Sequence, residues 1–131
     1  MEEKKLTGYP SIDKPWLKYY SEDAINSLIP KCTMYEYIRN NNKDHLNDIA
    51  LVYFSRKITY KELFAAIDQT AAAFSQLGIK RGDVVTIQSL SVPQVVFIIY
   101  ALSKIGAIAN LIFANANAAA VKASLAETNS H

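Results

Sequence analysis

The chain has 131 residues, half of them apolar and one fifth charged, with a formal charge of +2. That length accommodates one ordinary domain with a core, and the balance excludes the disordered class and, with Lys and Arg scattered among acids, a basic stripe for nucleic acid. The single cysteine, Cys32, excludes an internal disulfide, and Met1–Lys5 opens no secretory signal, so the cytoplasm is the expected compartment.

Residues 1–32 hold three of the four prolines, Pro10, Pro15 and Pro30, without sustained periodicity, which predicts an extended N-terminal arm. Pro15-Trp16-Leu17 and Tyr19-Tyr20 are too apolar for a free linker, and docking onto the body of the protein is expected of them. A short helix is expected over Glu22–Leu28, with Ser21 as its N-cap.

Residues 33–131 read as an α/β unit. Thr33 and Glu36 make a capping box for a helix that brings Tyr35, Ile38 and, less squarely, Tyr37 to one side and ends at Asn40-Asn41-Asn42. Ala50–Phe54 predicts a strand, Ser55-Arg56-Lys57 a tight connection and Ile58-Thr59 the start of a second strand, together a hairpin. Thr59 and Glu62 form another capping box, opening a helix to Leu77 whose Leu63, Ile67, Ala71 and Phe74 recur at helical spacing, with Gly78 as its left-handed end.

Arg81-Gly82-Asp83 predicts a turn, and the β-branched run Val84–Ile87 a strand covered on both faces. Ser91 and Gln94 suggest a capping box, with Pro93 in the first turn of a helix to about Ile105 that is apolar nearly all round. Such a helix calls for burial in a body larger than the visible chain. Gly106 ends it, and Ala107–Phe113 resumes as a strand. A membrane span over Val95–Ala116 is rejected because Lys104, Gly106 and Asn110 interrupt it. Strand, helix, strand with short connections predicts parallel pairing. The alanine-rich end, Ala114–Ala126, is helix-prone.

Three segments resemble the adenylate-forming (AMP-binding) enzymes, the superfamily of acyl-CoA synthetases, luciferases and peptide-synthetase adenylation domains. Ile58-Thr59-Tyr60-Lys61-Glu62-Leu63 resembles the T-Y-x-E-L signature, Gly78 with Arg81-Gly82-Asp83-Val84-Val85 the G-hydrophobic-x-x-G-D-x-V turn, and Leu102–Ala107 the L-x-K-x-G-A step. The arm Asp13–Tyr20 resembles the start of bacterial acyl-CoA synthetases. The likeness runs from about Pro15 to Asn110 and thins after Ile112, where Phe113–Ala120 is bland against the polar turn usual in the family.

The resemblance implies the N-terminal part of the large adenylate-forming domain, incomplete within residues 33–131. For the parent enzyme it implies ATP, Mg²⁺ and coenzyme A. A carboxylate, expected to be a fatty acid, attacks the α-phosphorus and releases pyrophosphate; a thiol then displaces AMP. The family's phosphate loop, aromatic-Thr-Glu motif, ribose-binding Asp and catalytic Lys have no counterpart here, so no catalytic, cofactor-binding or metal-binding residue is assigned. The expected partner is the remainder of the parent enzyme, with neither nucleic acid nor a transmembrane segment involved. A free-standing nucleotide- or acyl-binding module, or an oligomerisation domain built on the apolar helix, is the alternative.

Other candidates favour structural roles. Gly78, Gly82 and Gly106 are too far apart for a nucleotide loop. Glu62 and Asp83 suit a capping box and a turn better than an acid/base pair. Cys32, His45 and His131 lack metal-ligand spacing, and Ser89 and Ser91 lack a G-x-S-x-G elbow. Trp16, Tyr19 and Tyr20 are read as packing aromatics and not as a ligand site.

Overall fold

The computed structural model describes residues 6–130, so the expectations for Met1–Lys5 and His131 fall outside the described residues. Contacts divide the chain into one unit up to Lys31 and another from Cys32 onward.

The first unit is a string of short turns. Helix α1 spans Pro10–Asp13, a 3-10 turn Pro15–Tyr19 and α2 Glu22–Asn26. Pro10 and Pro15 each open a turn, where the missing N–H leaves no bond unmade. The Asp13 carboxylate accepts from Thr7 N, Thr7 Oγ1 and Gly8 N at 2.9–3.0 Å, folding the chain before α1 back on itself. Ser21 caps α2 as expected, accepting from Ala24 N, but the helix stops at Asn26 and not at Leu28. Here Ser27 Oγ donates to Ala24 O, a local bond that competes with helix propagation.

In the second unit α3 covers Met34–Asn41, β1 Ile49–Tyr53, β2 Arg56–Thr59, α4 Tyr60–Gln76, β3 Val84–Gln88, α5 Pro93–Ile105, β4 Ile108–Ile112 and α6 Ala118–Thr128. Both expected capping boxes form: Thr33 and Thr59 accept from the N–H groups of Glu36 and Glu62, whose carboxylates accept in return. Tyr35 is buried on α3, whereas Tyr37 is exposed and leaves the apolar face. The hairpin turns at Phe54-Ser55, with Tyr53 opposite Arg56, so the connection is shorter than the expected Ser55-Arg56-Lys57. Two-residue turns match strand twist, and Phe54 adopts φ +52° to make one.

The expected Ser91–Gln94 box does not form, because the N-cap of α5 is Val92. Pro93 explains the shift: its ring drives the preceding residue out of helical space, and Val92 is extended at φ −115°, ψ 158°. At the other end of α4, Gly78 N donates to Ser75 O and Ile79 N to Phe74 O, a Schellman closure with Gly78 at φ +88°.

Strands β3 and β4 pair in parallel as expected, from Val84 opposite Ile108 to Gln88 opposite Ile112. Gly106 sits at φ +78°, and a Cβ there would lie 3.0 Å from Arg81 Cγ. Gly82 N also donates to Gly106 O, so two of the family-like segments meet at this point. Side chains alternate across a strand. Thr86 and Asn110 share the face toward α6, and Leu111 shares the opposite one with α5 residues Val95 and Ile99.

The core lies between α4 and α5, with Tyr35, Ile58, Leu63, Phe64, Ile67, Ala71 and Ala101 in one cluster and Leu102 fully buried beside it. Phe64, off the expected Leu63–Ile67–Ala71–Phe74 stripe, is buried through edge contact with Tyr35 at 6.4 Å. Cover on β3 is incomplete, with Val84–Thr86 half-buried and only Ile87 buried. Among the described residues no helix is long and apolar enough to cross a membrane.

Ile67→Ala and Leu102→Ala should each cost about 2–5 kcal/mol in urea unfolding, because both side chains are fully enclosed. Thr59→Ala should cost about 1 kcal/mol through the lost cap. Losses of the same size at exposed Leu77 would show that the core is misplaced.

Candidate functional site

Polar side chains gather at two places in the second unit. The first joins α3, α4 and α5. Asp68 on α4 accepts at Oδ1 from Tyr35 Oη (2.7 Å) and Lys104 Nζ (2.8 Å), and Arg39 approaches Oδ2 at 3.8 Å. Arg39 also donates to Tyr35 Oη at 3.2 Å and lies 5.1 Å from the Phe64 ring centre. Lys104 stands 5.0 Å from the Tyr35 ring centre, a cation–π contact that adds to the ion pair.

Burial works to raise the Asp68 pKa, but hydrogen bonds from Lys104 and Tyr35 outweigh it and hold the carboxyl below its ordinary value. Lys104 is raised chiefly by its bond to Asp68, and Tyr35 is raised by burial and then by the same carboxylate. Tyr35 Oη, Asp68 Oδ1, Lys104 Nζ and Arg39 Nη1 are engaged with one another, so the cluster is a clasp between three helices. The sequence reading missed it. Its signal was a charge set among apolar helix residues, Asp68 beside Ile67 in α4 and Lys104, the one charge of α5, beside Ile105, since such charges need partners.

The second place lies at the carboxyl ends of the parallel strands. The chain leaves β3 toward α5 on one face and β4 toward α6 on the other. Adjacent parallel strands whose exits diverge in this way open a crevice between their ends, the usual ligand position in such sheets. A cleft of about 860 Å³ lies there, bounded by Ser89, Leu90 and Ser91 after β3 and by Phe113, Asn115 and Ala120 after β4. Gln88 Nε2 bridges the two exits, donating to Ala114 O and Ala116 O at 3.2 and 2.9 Å.

No side chain lining the cleft is charged. Its hydroxyls and amide can orient a neutral group, but they cannot neutralise a triphosphate or hold Mg²⁺, which take fixed cations and carboxylates. The residues present therefore do not fit ATP·Mg²⁺ as its main site. A smaller apolar groove of about 370 Å³ runs between β1 and the start of α5, lined by Leu51, Val52, Val95, Ile99 and Leu111 among others.

The remaining sequence candidates fall apart in space and role. Ser89 and Ser91 reach the cleft without a histidine in its lining. Glu62 is held in its capping box and below its ordinary pKa by bonds from Thr59, while Asp83 accepts from Lys80 N at 2.9 Å inside its turn. His45 pairs with Asp48 at 2.8 Å, and Cys32 is exposed. Gly78, Gly82 and Gly106 serve turns at positive φ. Trp16, Tyr19 and Tyr20 are exposed. Among the described residues no group of His, Cys, Asp and Glu has the makings of a metal site.

A family model described as AMP-binding enzyme matches residues 38–131. It carries the likeness beyond Ile112, through the alanine-rich end where the sequence comparison had thinned. The acetyl-coenzyme A synthetase of Bartonella bacilliformis is 32% identical over 124 residues, covering 90% of this chain and 18% of that protein. Its Bartonella henselae counterpart is 31% identical over 115 residues, covering 83% and 17%. The chain thus spans less than a fifth of the length of these relatives.

Among solved structures, an artificially fused adenylation–PCP di-domain from Klebsiella oxytoca, NpsA-ThdA, superposes with TM-score 0.73 at 24% identity, over 76% of this chain and 19% of that one. The inhibitor-bound N-terminal domain of FACL13 from Mycobacterium tuberculosis gives TM-score 0.71 at 23% identity, over 76% and 25%. At those identities the likeness shows the fold.

The clasp should make stability depend on pH at both ends. Asp68 is depressed, so its contribution is complete above the ordinary carboxylate value of about 4 and is lost as pH falls through the lower folded value. Lys104 and Tyr35 are raised, so theirs is complete below about pH 10 and is lost as pH rises through their folded values. Urea titrations of wild type and Asp68→Asn should show a shallower acid-side slope in the variant, and equal slopes would remove the clasp as a stabilising element.

Proposed function

This chain belongs to the AMP-binding enzyme family, and from that premise we propose that it is the N-terminal structural segment of an ATP-dependent acyl-CoA synthetase. The parent reaction joins a carboxylate to the α-phosphorus of ATP with release of pyrophosphate, then passes the acyl group to the coenzyme A thiol with release of AMP. The acetyl-coenzyme A synthetases among the relatives support coenzyme A as acceptor and a carboxylic acid as substrate. The cytoplasm is the proposed compartment.

The observation that carries this reading is the uncharged crevice at the carboxyl ends of β3 and β4. A sheet of this kind offers its ligand position there, yet phosphoryl transfer needs fixed positive charge around the transferred group. The segment therefore supplies one wall of a site whose cations and acids come from elsewhere in a longer protein. The half-buried apolar face of α5 and the groove beside it supply the surface against which that protein packs. The arm up to Lys31, with Trp16, Tyr19 and Tyr20 exposed, is proposed to dock on the same larger body.

The test is carboxylate-dependent exchange of pyrophosphate into ATP. The 131-residue chain should show none, and a protein that continues this sequence to the length of its relatives should show it. Exchange catalysed by the short chain would overturn the proposal.

A further inference from the structure

We infer that Gln88 is a positioning residue of the crevice: its side-chain amide fixes the turn after β4 that forms one wall, and so sets the shape presented to a bound group. That a ligand enters there rests on the reading of the chain as part of an AMP-binding enzyme; the clamp itself does not.

Gln88 ends β3 opposite Ile112, the last rung of the parallel ladder. Alternation puts its side chain on the face of Thr86, the face toward α6. Beyond that rung the two chains part. Among the described residues no backbone hydrogen bond ties the turn at 113–116 to β3 or to the loop 89–92. Within the turn one backbone bond forms, from Ala116 N to Phe113 O at 3.0 Å. Phe113, Ala114 and Asn115 are exposed, so burial does not hold the turn either.

The tie is Gln88 Nε2, which donates to Ala114 O at 3.2 Å and to Ala116 O at 2.9 Å. A primary amide carries two N–H groups, enough for both carbonyls. Ala114, Asn115 and Ala116 line the crevice and Gln88 does not, so it acts on the site through the turn. Asn117, the N-cap of α6, follows directly, and the clamp therefore also sets where that helix begins. The far end of α6 is held separately: Asn110 donates to Ser124 Oγ at 2.8 Å, and Ser130 Oγ bonds Thr86 Oγ1. Loss of the clamp releases the crevice wall and leaves the rest of the helix seated.

Charge around Gln88 is sparse. On β3, β4, α6 and the two exit loops the charged side chains are Lys122 and Glu127, both exposed. A glutamate in place of Gln88 has nearly the same shape, but when ionised it only accepts, and it would meet two carbonyl oxygens. Such surroundings favour the neutral acid, which can donate to one of them, and raise its pKa.

NMR titration of Gln88→Glu in the 131-residue chain tests the clamp. The introduced carboxyl should titrate about half a unit or more above the ordinary glutamate value of about 4.3, with the Ala114 and Ala116 carbonyl carbons shifting in the same step. Above that midpoint, hydrogen exchange at Ala116 and Ala120, both hydrogen-bonded amides, should run about tenfold faster than in wild type at the same pH, while Leu125 and Thr128 keep their rates. A midpoint at or below the ordinary value, or unchanged rates at Ala116 and Ala120, would overturn the clamp. In a protein that continues this sequence to the length of its relatives, Gln88→Ala should raise KM for the carboxylate or for coenzyme A about fivefold or more, with kcat within about twofold. No change in either KM would overturn the role at the site. A protein of that length without pyrophosphate exchange would contradict the acyl-CoA synthetase reading and leave the clamp standing.

Discussion

The parallel pairing of β3 with β4 is the constraint from which most of this structure follows. Parallel strands cannot be joined by a tight turn, so the chain must leave β3, cross the sheet and return, and α5 is that crossing. A crossing helix has to bury one side, which sets Ala101 in the cluster with α4 and makes the α4–α5 contact the core. The turn back into β4 then has to be sharp. Gly106 makes it at positive φ, and its carbonyl accepts from Gly82 N at the entrance to β3. Strand entrances and helix exit are thereby fixed to each other before any distant part of the protein is needed.

Charge is used here to position helices. The Tyr35–Arg39–Asp68–Lys104 clasp places one carboxylate under two cations and a phenol where three helices meet. Its charged members, Arg39, Asp68 and Lys104, are partly exposed, so solvent screens the pair energies, and what the geometry adds is register between α3, α4 and α5. Helix α6 is held differently. None of its residues is buried, and Asn110 reaches from β4 to Thr86 and Ser124, so a polar seam does the work that apolar packing does for α5. Two helices on opposite faces, one seated by apolar contact and one by hydrogen bonds, account for both the crevice at the strand ends and the half-covered sheet.

Local devices were legible from the sequence because their partners lie three or four residues apart. Thr33 with Glu36, Thr59 with Glu62 and the glycine closures at Gly78 and Gly106 all took the expected form. Ser91 with Gln94 had the same spelling and failed, since Pro93 forces Val92 to be the extended residue and moves the cap by one. The hairpin slipped by a similar amount because strand twist, which no residue spells out, chose the two-residue turn. Asp68, Arg39, Lys104 and Tyr35 come from three helices, and only tertiary packing brings them together. The crevice was illegible for the same reason, as it depends on which face each crossover takes.

The family assignment and the shape of the crevice point the same way. A scaffold with divergent strand exits is present, and the charged groups that phosphoryl chemistry requires are absent from its lining. Calorimetric titration of ATP with Mg²⁺ into the 131-residue chain probes this most directly. The account predicts no saturable heat, because among the described residues no cation or carboxylate lines the crevice; a stoichiometric, saturable isotherm would contradict it.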